Sequence, residues 1–231
     1  MRFRTLFTIV MSAAAMAAFA VEMPFIAGEK FPDTDGRHIN AHGGGIMTKD
    51  GTYYWYGEHR GDGTPGSGQK GVALYTSDNL RDWTNRGIVL AMSDTEGDIL
   101  EKGGIIERPK VLYCPNTGKY VMWFHHELKG RGYGAAHSAV AIADSPYGPW
   151  IKNPANPIIH RSIVGENGSG HGDIFTDMDG TRRYVYHVHY SDSVVSPRRT
   201  RIVTLDFSKD TVSNIYSIKA VPGSVIKPHV Q

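Results

Sequence analysis

Three short phrases place acids, a histidine and bare backbone where they can meet a ligand rich in hydroxyls. Glu107-Arg108-Pro109 sets a carboxylate beside a guanidinium at the start of a strand-like stretch. As a functional pair, Arg108 keeps that carboxylate ionised and shapes how hydroxyls are held. As a structural pair, it is an ion pair and no more. His42-Gly43-Gly44-Gly45 strips the side chains from a matching stretch earlier in the chain. Three successive glycines imply close approach to the backbone, either by a sugar ring or by a neighbouring strand at a tight crossing. Glu58 closes the aromatic run Thr52-Tyr53-Tyr54-Trp55-Tyr56-Gly57. It can hydrogen-bond a sugar hydroxyl or simply face solvent.

The histidines raise the question of metal chemistry. His187 and His189 share one face of a strand, whereas His125 and His126 point to opposite faces. With no cysteine partners and no helix-borne His-Glu-x-x-His, zinc catalysis is the weaker reading. One histidine of each pair is instead assigned to sugar binding or packing, with His125 the candidate in the first pair. His171, in Gly170-His171-Gly172-Asp173, opens another inner strand. It can hold a water or an ion on an axis, which leaves room for a structural calcium; no other cofactor is expected. Trp123 and Tyr133 suit stacking on sugar rings, although most aromatics in such strands are core. Cys114 is the only cysteine, so no disulfide framework exists, and it reads as a small buried residue. Arg198-Arg199-Thr200-Arg201 reads as a solvated strand edge.

What positions these residues is a phrase that occurs three times. Gly43 to Trp83, Ile106 to Trp150 and Gly170 to Asp210 each run strand, glycine turn, aromatic strand, then a strand with an Asp- or Ser-led turn. The turn glycines are Gly51, Gly118 and Gly180, spaced by 67 and then 62 residues. Tyr120/Met122/Phe124 alternate with Val121/Trp123/His125, and Tyr184/Tyr186/Val188 with Val185/His187/His189, which is the period of half-buried strands. No helical period is visible beyond the N-terminus. The fold class is therefore all-β, a β-propeller of four-stranded antiparallel blades. In such a fold the inner strands gather their first residues at one funnel, so His42, Glu107 and His171 are expected near each other. Trp83 and Trp150 occupy matching places and are expected to pack.

The N-terminus reads as a signal peptide over residues 1–20. Arg2 and Arg4 precede an apolar run from Leu6 to Phe19, and Ala18-Phe19-Ala20 is a cleavage signal. Export makes the protein secreted or periplasmic. Residues 21–231 form a single propeller domain with three recognisable blades, fewer than ring closure usually takes. Without the two leader arginines the charges balance, so neither nucleic acid nor an anionic membrane is an expected partner. A monomer is expected.

The ordered phrases Asp33 to Ile46, Tyr53 to His59, Gly71 to Leu90 and Ile106 to Val111 resemble glycoside hydrolase family 43, and within it the exo-β-1,3-galactanase branch. The third copy is more similar to the last blade of arabinan- and xylan-type members. The resemblance implies a five-bladed propeller. It also implies inverting acid/base hydrolysis of plant-type polysaccharides, galactan or arabinose- and xylose-containing glycans. It implies that Glu107 is catalytic, and the residues singled out above, His42, Gly43, Gly44, Glu58, Arg108, Trp123, His125, Tyr133 and His171, are expected to line the sugar site. Where the family's usual base Asp would stand, the chain has Ala41-His42-Gly43, as the galactanase branch also lacks it. The family's Arg-Glu-Ala-Pro phrase around the general acid has no counterpart. Glu166 and Asp173 are the candidates to replace it. The alternative is a catalytically impaired carbohydrate-binding propeller.

Overall fold

A computed structural model describes residues 30–61, 69–132, 135–170, 172–191, 193–194, 196–209 and 216–226. The leader, Tyr133 and His171 lie outside the described residues. Among the described residues, twelve strands form three four-stranded antiparallel sheets. The first holds β1 (His42–Lys49), β2 (Thr52–His59), β3 (Gly71–Ser77) and β4 (Thr84–Ala91) in chain order. The second holds β5 (Ile105–Cys114), β6 (Lys119–Glu127), β7 (His137–Ala143) and β8 (Ile151–Lys152). The third holds β9 (Gly172–Thr176), β10 (Arg182–Val188), β11 (Arg199–Lys209) and β12 (Tyr216–Ala220). A single helical turn, α1 (Arg161–Val164), links the second and third sheets. These are three successive propeller blades. No helix among the described residues is long and apolar enough to cross a membrane.

The repeated glycine follows from turn geometry. Gly51, Gly118 and Gly180 sit at φ 77°, 69° and 85°, which side-chain-bearing residues rarely adopt. In the first blade Asp50 joins Gly51 at φ 49°, and Lys49 pairs with Thr52. Two consecutive left-handed residues between paired strands make the tight hairpin that an Asp-Gly dipeptide favours.

Strand alternation then builds two interfaces between blades. Tyr54 and Tyr56 of β2 face the second blade, where Tyr56 packs with Val111, Met122 and Phe124. Val121 and Trp123, the odd positions of β6, face the third blade and meet Tyr184, Tyr186 and Val188. The opposite face of the first blade gathers Tyr53, Trp55, Ala73 and Tyr75 under Ile39 and Ala41. Trp83 and Trp150 are both buried. Each contacts the aromatic strand of the first blade, Trp83 through Trp55 and Trp150 through Tyr56. Cys114 differs from its expectation: it ends β5 half-buried rather than in the core.

The second blade also buries two histidines side by side. His126 Nδ1 and His137 Nε2 are 2.8 Å apart, at the strand ends where β6 pairs with β7 in the middle of the blade. Burial is the main reason that His126 is pushed down to about 3 and His137 to about 4. Both stay neutral in the folded chain while the unfolded chain protonates them below about 6.5. The stability they allow is therefore complete above that value and is lost as pH falls from about 6.5 towards 4. The slope is up to about 1.4 kcal/mol per pH unit for each ring. Thermal melts across this range should show a steadily falling midpoint, and His126→Gln should flatten the slope. An equal midpoint at the two ends of the range would contradict this.

Candidate functional site

The site forms where the first strands of two blades run side by side. β1 and β5 are neighbours across the blade boundary. His42 and Glu58 pair across β1 and β2, and Glu107 and His125 pair across β5 and β6, at the same end of each blade. There the side chains form a chain of alternating charge. Arg60 Nη2 lies 3.2 Å from Glu58 Oε2 and 3.2 Å from Glu107 Oε1. Arg108 Nη1 donates to Glu107 Oε2 at 2.8 Å. Glu58 also accepts from Gln69 Nε2 at 2.9 Å. The side chain of Glu58 is 5% exposed and that of Glu107 18%, whereas Arg60 and Arg108 are each more than 40% exposed. Burial pushes the Glu58 carboxyl above its ordinary value and the charge of Glu107 adds to this, while Arg60 and Arg108 pull it back.

Local backbone irregularity aims these groups. β1 slips register against β2 between His42 and Gly45, and β5 slips against β6 between Glu107 and Lys110. Bulges of this kind re-aim side chains beside functional sites. Arg108 holds φ 51°, a left-handed conformation that costs a non-glycine residue roughly 1 kcal/mol or more. Gly43 holds φ 53°, and a Cβ there would stand 2.9 Å from Arg108 Cγ and 3.4 Å from Glu58 Oε1. A Cβ on Gly44 would strike the Trp55 ring at 2.2 Å. What comes close to these two glycines is thus the chain itself. Asn40 fixes the next link. Its side-chain amide donates to the Arg60 carbonyl at 2.6 Å and accepts the Arg60 N–H at 3.0 Å.

Of the other residues singled out in the sequence, some lie beside these groups and some fall elsewhere. His42 is exposed at the start of β1. His125 is buried, its Nε2 lies 3.2 Å from Glu127 Oε1, and a Cβ on Gly170 would stand 2.3 Å from its Nδ1. Its ring packs against protein on both sides, and with Trp123 it also lines the small cleft between the second and third blades. Trp123 is buried too, stacked on Tyr184 at 5.5 Å between ring centroids. Glu166 forms a two-pronged ion pair with Arg201, at 2.7 Å and 2.6 Å. This corrects the reading of a solvated edge at Arg201 alone, whose side chain is only 5% exposed, whereas Arg198, Arg199 and Thr200 are exposed as expected. Asp173 is exposed on β9 and lies 3.7 Å from Lys110. Together with Arg108 it lines a cleft of about 40 Å³ between the second and third blades. His187 bonds Arg198, and His189 lies beyond the end of β10 with its backbone N–H on Asn167. Among the described residues no three His, Cys, Asp or Glu side chains gather as a metal site.

Sequence reading missed Arg60 and Gln69. Arg60 had a visible signal, because it stands two residues beyond Glu58, one past the end of β2, where an extended backbone keeps the same face. Gln69 had none, since it reaches both of its partners from a connection between strands.

At the mouth of two adjacent propeller blades, two carboxylates thus share one guanidinium. No family model matches the chain, and no curated protein matches it. Solved structures do. A GH43 β-1,3-galactosidase solved with galactodeoxynojirimycin is 34% identical with TM-score 0.60, over 85% of this chain and 66% of that one. An exo-β-1,3-galactanase from Clostridium thermocellum is 31% identical with TM-score 0.62, over 85% of this chain and 40% of that one. An exo-β-1,3-galactanase from Phanerochaete chrysosporium, solved with galactose, is 28% identical with TM-score 0.63, over 88% of this chain and 42% of that one. The chain belongs to glycoside hydrolase family 43. It spans about two fifths to two thirds of the length of these relatives.

Proposed function

We propose that the protein is an exported glycosidase that binds terminal galactosyl residues of β-1,3-linked galactan and hydrolyses them. The observation that carries this reading is the alternating chain Glu58, Arg60, Glu107 and Arg108, in which acceptors and donors stand within hydrogen-bond reach of one another. Vicinal hydroxyls of a sugar present the complementary pattern. The similarity to β-1,3-galactosidases and galactanases supplies the sugar and the linkage. The leader over residues 1–20 supports export.

In this reading Glu107 is the catalytic carboxyl, and Glu58 and Arg108 hold hydroxyls. Glu58 and Glu107 are not acid and base to each other. Oxygens that share one nitrogen at 3.2 Å each stand closer than the roughly 6.5–9.5 Å that inverting hydrolysis leaves between its carboxyl groups. The second carboxyl is Asp173, which shares a cleft with Arg108, rather than Glu166, which Arg201 occupies. Incubation of the purified protein with β-1,3-galactan and an aryl β-galactoside should release sugar. Absence of both turnover and galactose binding by calorimetry would refute the proposal. A second reading, galactose binding without turnover, is favoured by the engagement of Glu166 with Arg201, and the same pair of assays separates the two.

A further inference from the structure

We infer that Gln69 is a positioning residue that locks Glu58 to the strand bearing Glu107; the inference rests on the proposed glycan site. Gln69 lies in the connection between β2 and β3, and its amide works at both ends. Nε2 donates to Glu58 Oε2 at 2.9 Å, and Oε1 accepts the backbone N–H of Ile106 at 2.8 Å. Ile106 immediately precedes Glu107 and is fully buried. One side chain therefore ties the carboxylate of the first blade to the backbone that carries the carboxylate of the second. Arg60 joins the same two carboxylates from the solvent side. The two links are different in kind. Arg60 holds charge against charge, and its exposed guanidinium can swing. Gln69 holds a side chain against a backbone, which cannot.

The order of atoms in this strut is forced. A backbone N–H only donates, and an ionised carboxylate only accepts. The residue between them must offer one acceptor and one donor across the width of an amide. Glutamine does so at every pH. Glutamate does so only when it is protonated, and leucine never does. Donation from Gln69 also favours the ionised form of Glu58, against the burial that opposes it. Without the strut, Glu58 would keep a proton to higher pH and offer a ligand a hydroxyl in place of a bare acceptor. It would also lose its fixed bearing on Glu107.

Two readouts test this, and the first needs no ligand. In protein with ¹³C-labelled glutamate carboxyls, with the Glu58 signal assigned through Glu58→Gln, Gln69→Leu should raise the Glu58 titration midpoint by about one pH unit. The second is galactose binding by calorimetry near pH 7.5, well above the ordinary glutamate midpoint, and near pH 4.5, about at it, where the like charge of Glu58 favours a proton on a carboxyl placed at position 69. Gln69→Glu should bind about 10-fold more weakly than wild type at the higher pH, and within about 3-fold of it at the lower. Gln69→Leu should bind weakly at both. A glutamate that merely filled space would not recover on acidification. An unmoved Glu58 titration in Gln69→Leu, or a Gln69→Glu variant that tracks wild type at both pH values, overturns the inference. Should wild type itself fail to bind galactose, the glycan reading fails and the carboxyl titration still decides the strut.

Discussion

Glu107→Gln should lower turnover of β-1,3-galactosyl substrates by about 10²–10⁴-fold, the usual worth of a positioned acid or base. The folded protein should survive the change. Glu107 sits at a strand end, 18% exposed, and its partners Arg60 and Arg108 are more than 40% exposed, so both can turn to water. Glutamine keeps the shape and one acceptor oxygen. The circular dichroism spectrum and thermal midpoint should therefore stay close to wild type. Galactose affinity should fall much less than the rate does, because Glu58 and Arg108 still hold the sugar. Measuring rate and affinity on the same preparation separates the cases. A variant that keeps full turnover removes Glu107 from catalysis. A variant that loses binding and rate in equal proportion makes it a binding residue.

The second large effect is on stability. Arg201→Met should cost about 3 kcal/mol, because it leaves the Glu166 carboxylate without its partner. Removing one member of a buried pair costs roughly 3–5 kcal/mol, and Glu166, at 22% exposure, belongs at the low end. For a domain of this size that corresponds to a thermal midpoint lower by roughly 6–12 °C. The converse change, Glu166→Gln, keeps an acceptor for the guanidinium and should cost only about 1–2 kcal/mol. Its rate per folded molecule should match wild type, whereas Asp173→Asn should lose turnover. A loss of rate by 100-fold or more in Glu166→Gln, with its melting point unchanged, would return Glu166 to the catalytic role that sequence reading considered for it.

The contrast between Glu107 and Glu166 marks how far the sequence reaches. The glycine turns, the aromatic strands and the period of about 65 residues are local properties of the backbone. Gly51, Gly118 and Gly180 adopt the left-handed turn that their spacing predicted, and the alternation in β2 and β6 sorts side chains between two faces as a period of two must. The Glu107–Arg108 pair was legible for the same reason, since neighbours in sequence are neighbours in space. Partners chosen across strands were not. Glu166 looked available in a glycine-rich loop, and only the placement of β11 brings Arg201 to it, 35 residues away. Gln69 looked like part of an ordinary connection until the packing of two blades set it between Glu58, 11 residues before it, and Ile106, 37 residues after it. The sequence by itself determined the blades, their number among the described residues and the strand ends that carry acids. The tertiary structure decided which acids share a cation, which one is neutralised and which side chain ties one blade to the next. Those choices depend on register and blade packing, and no local pattern encodes them.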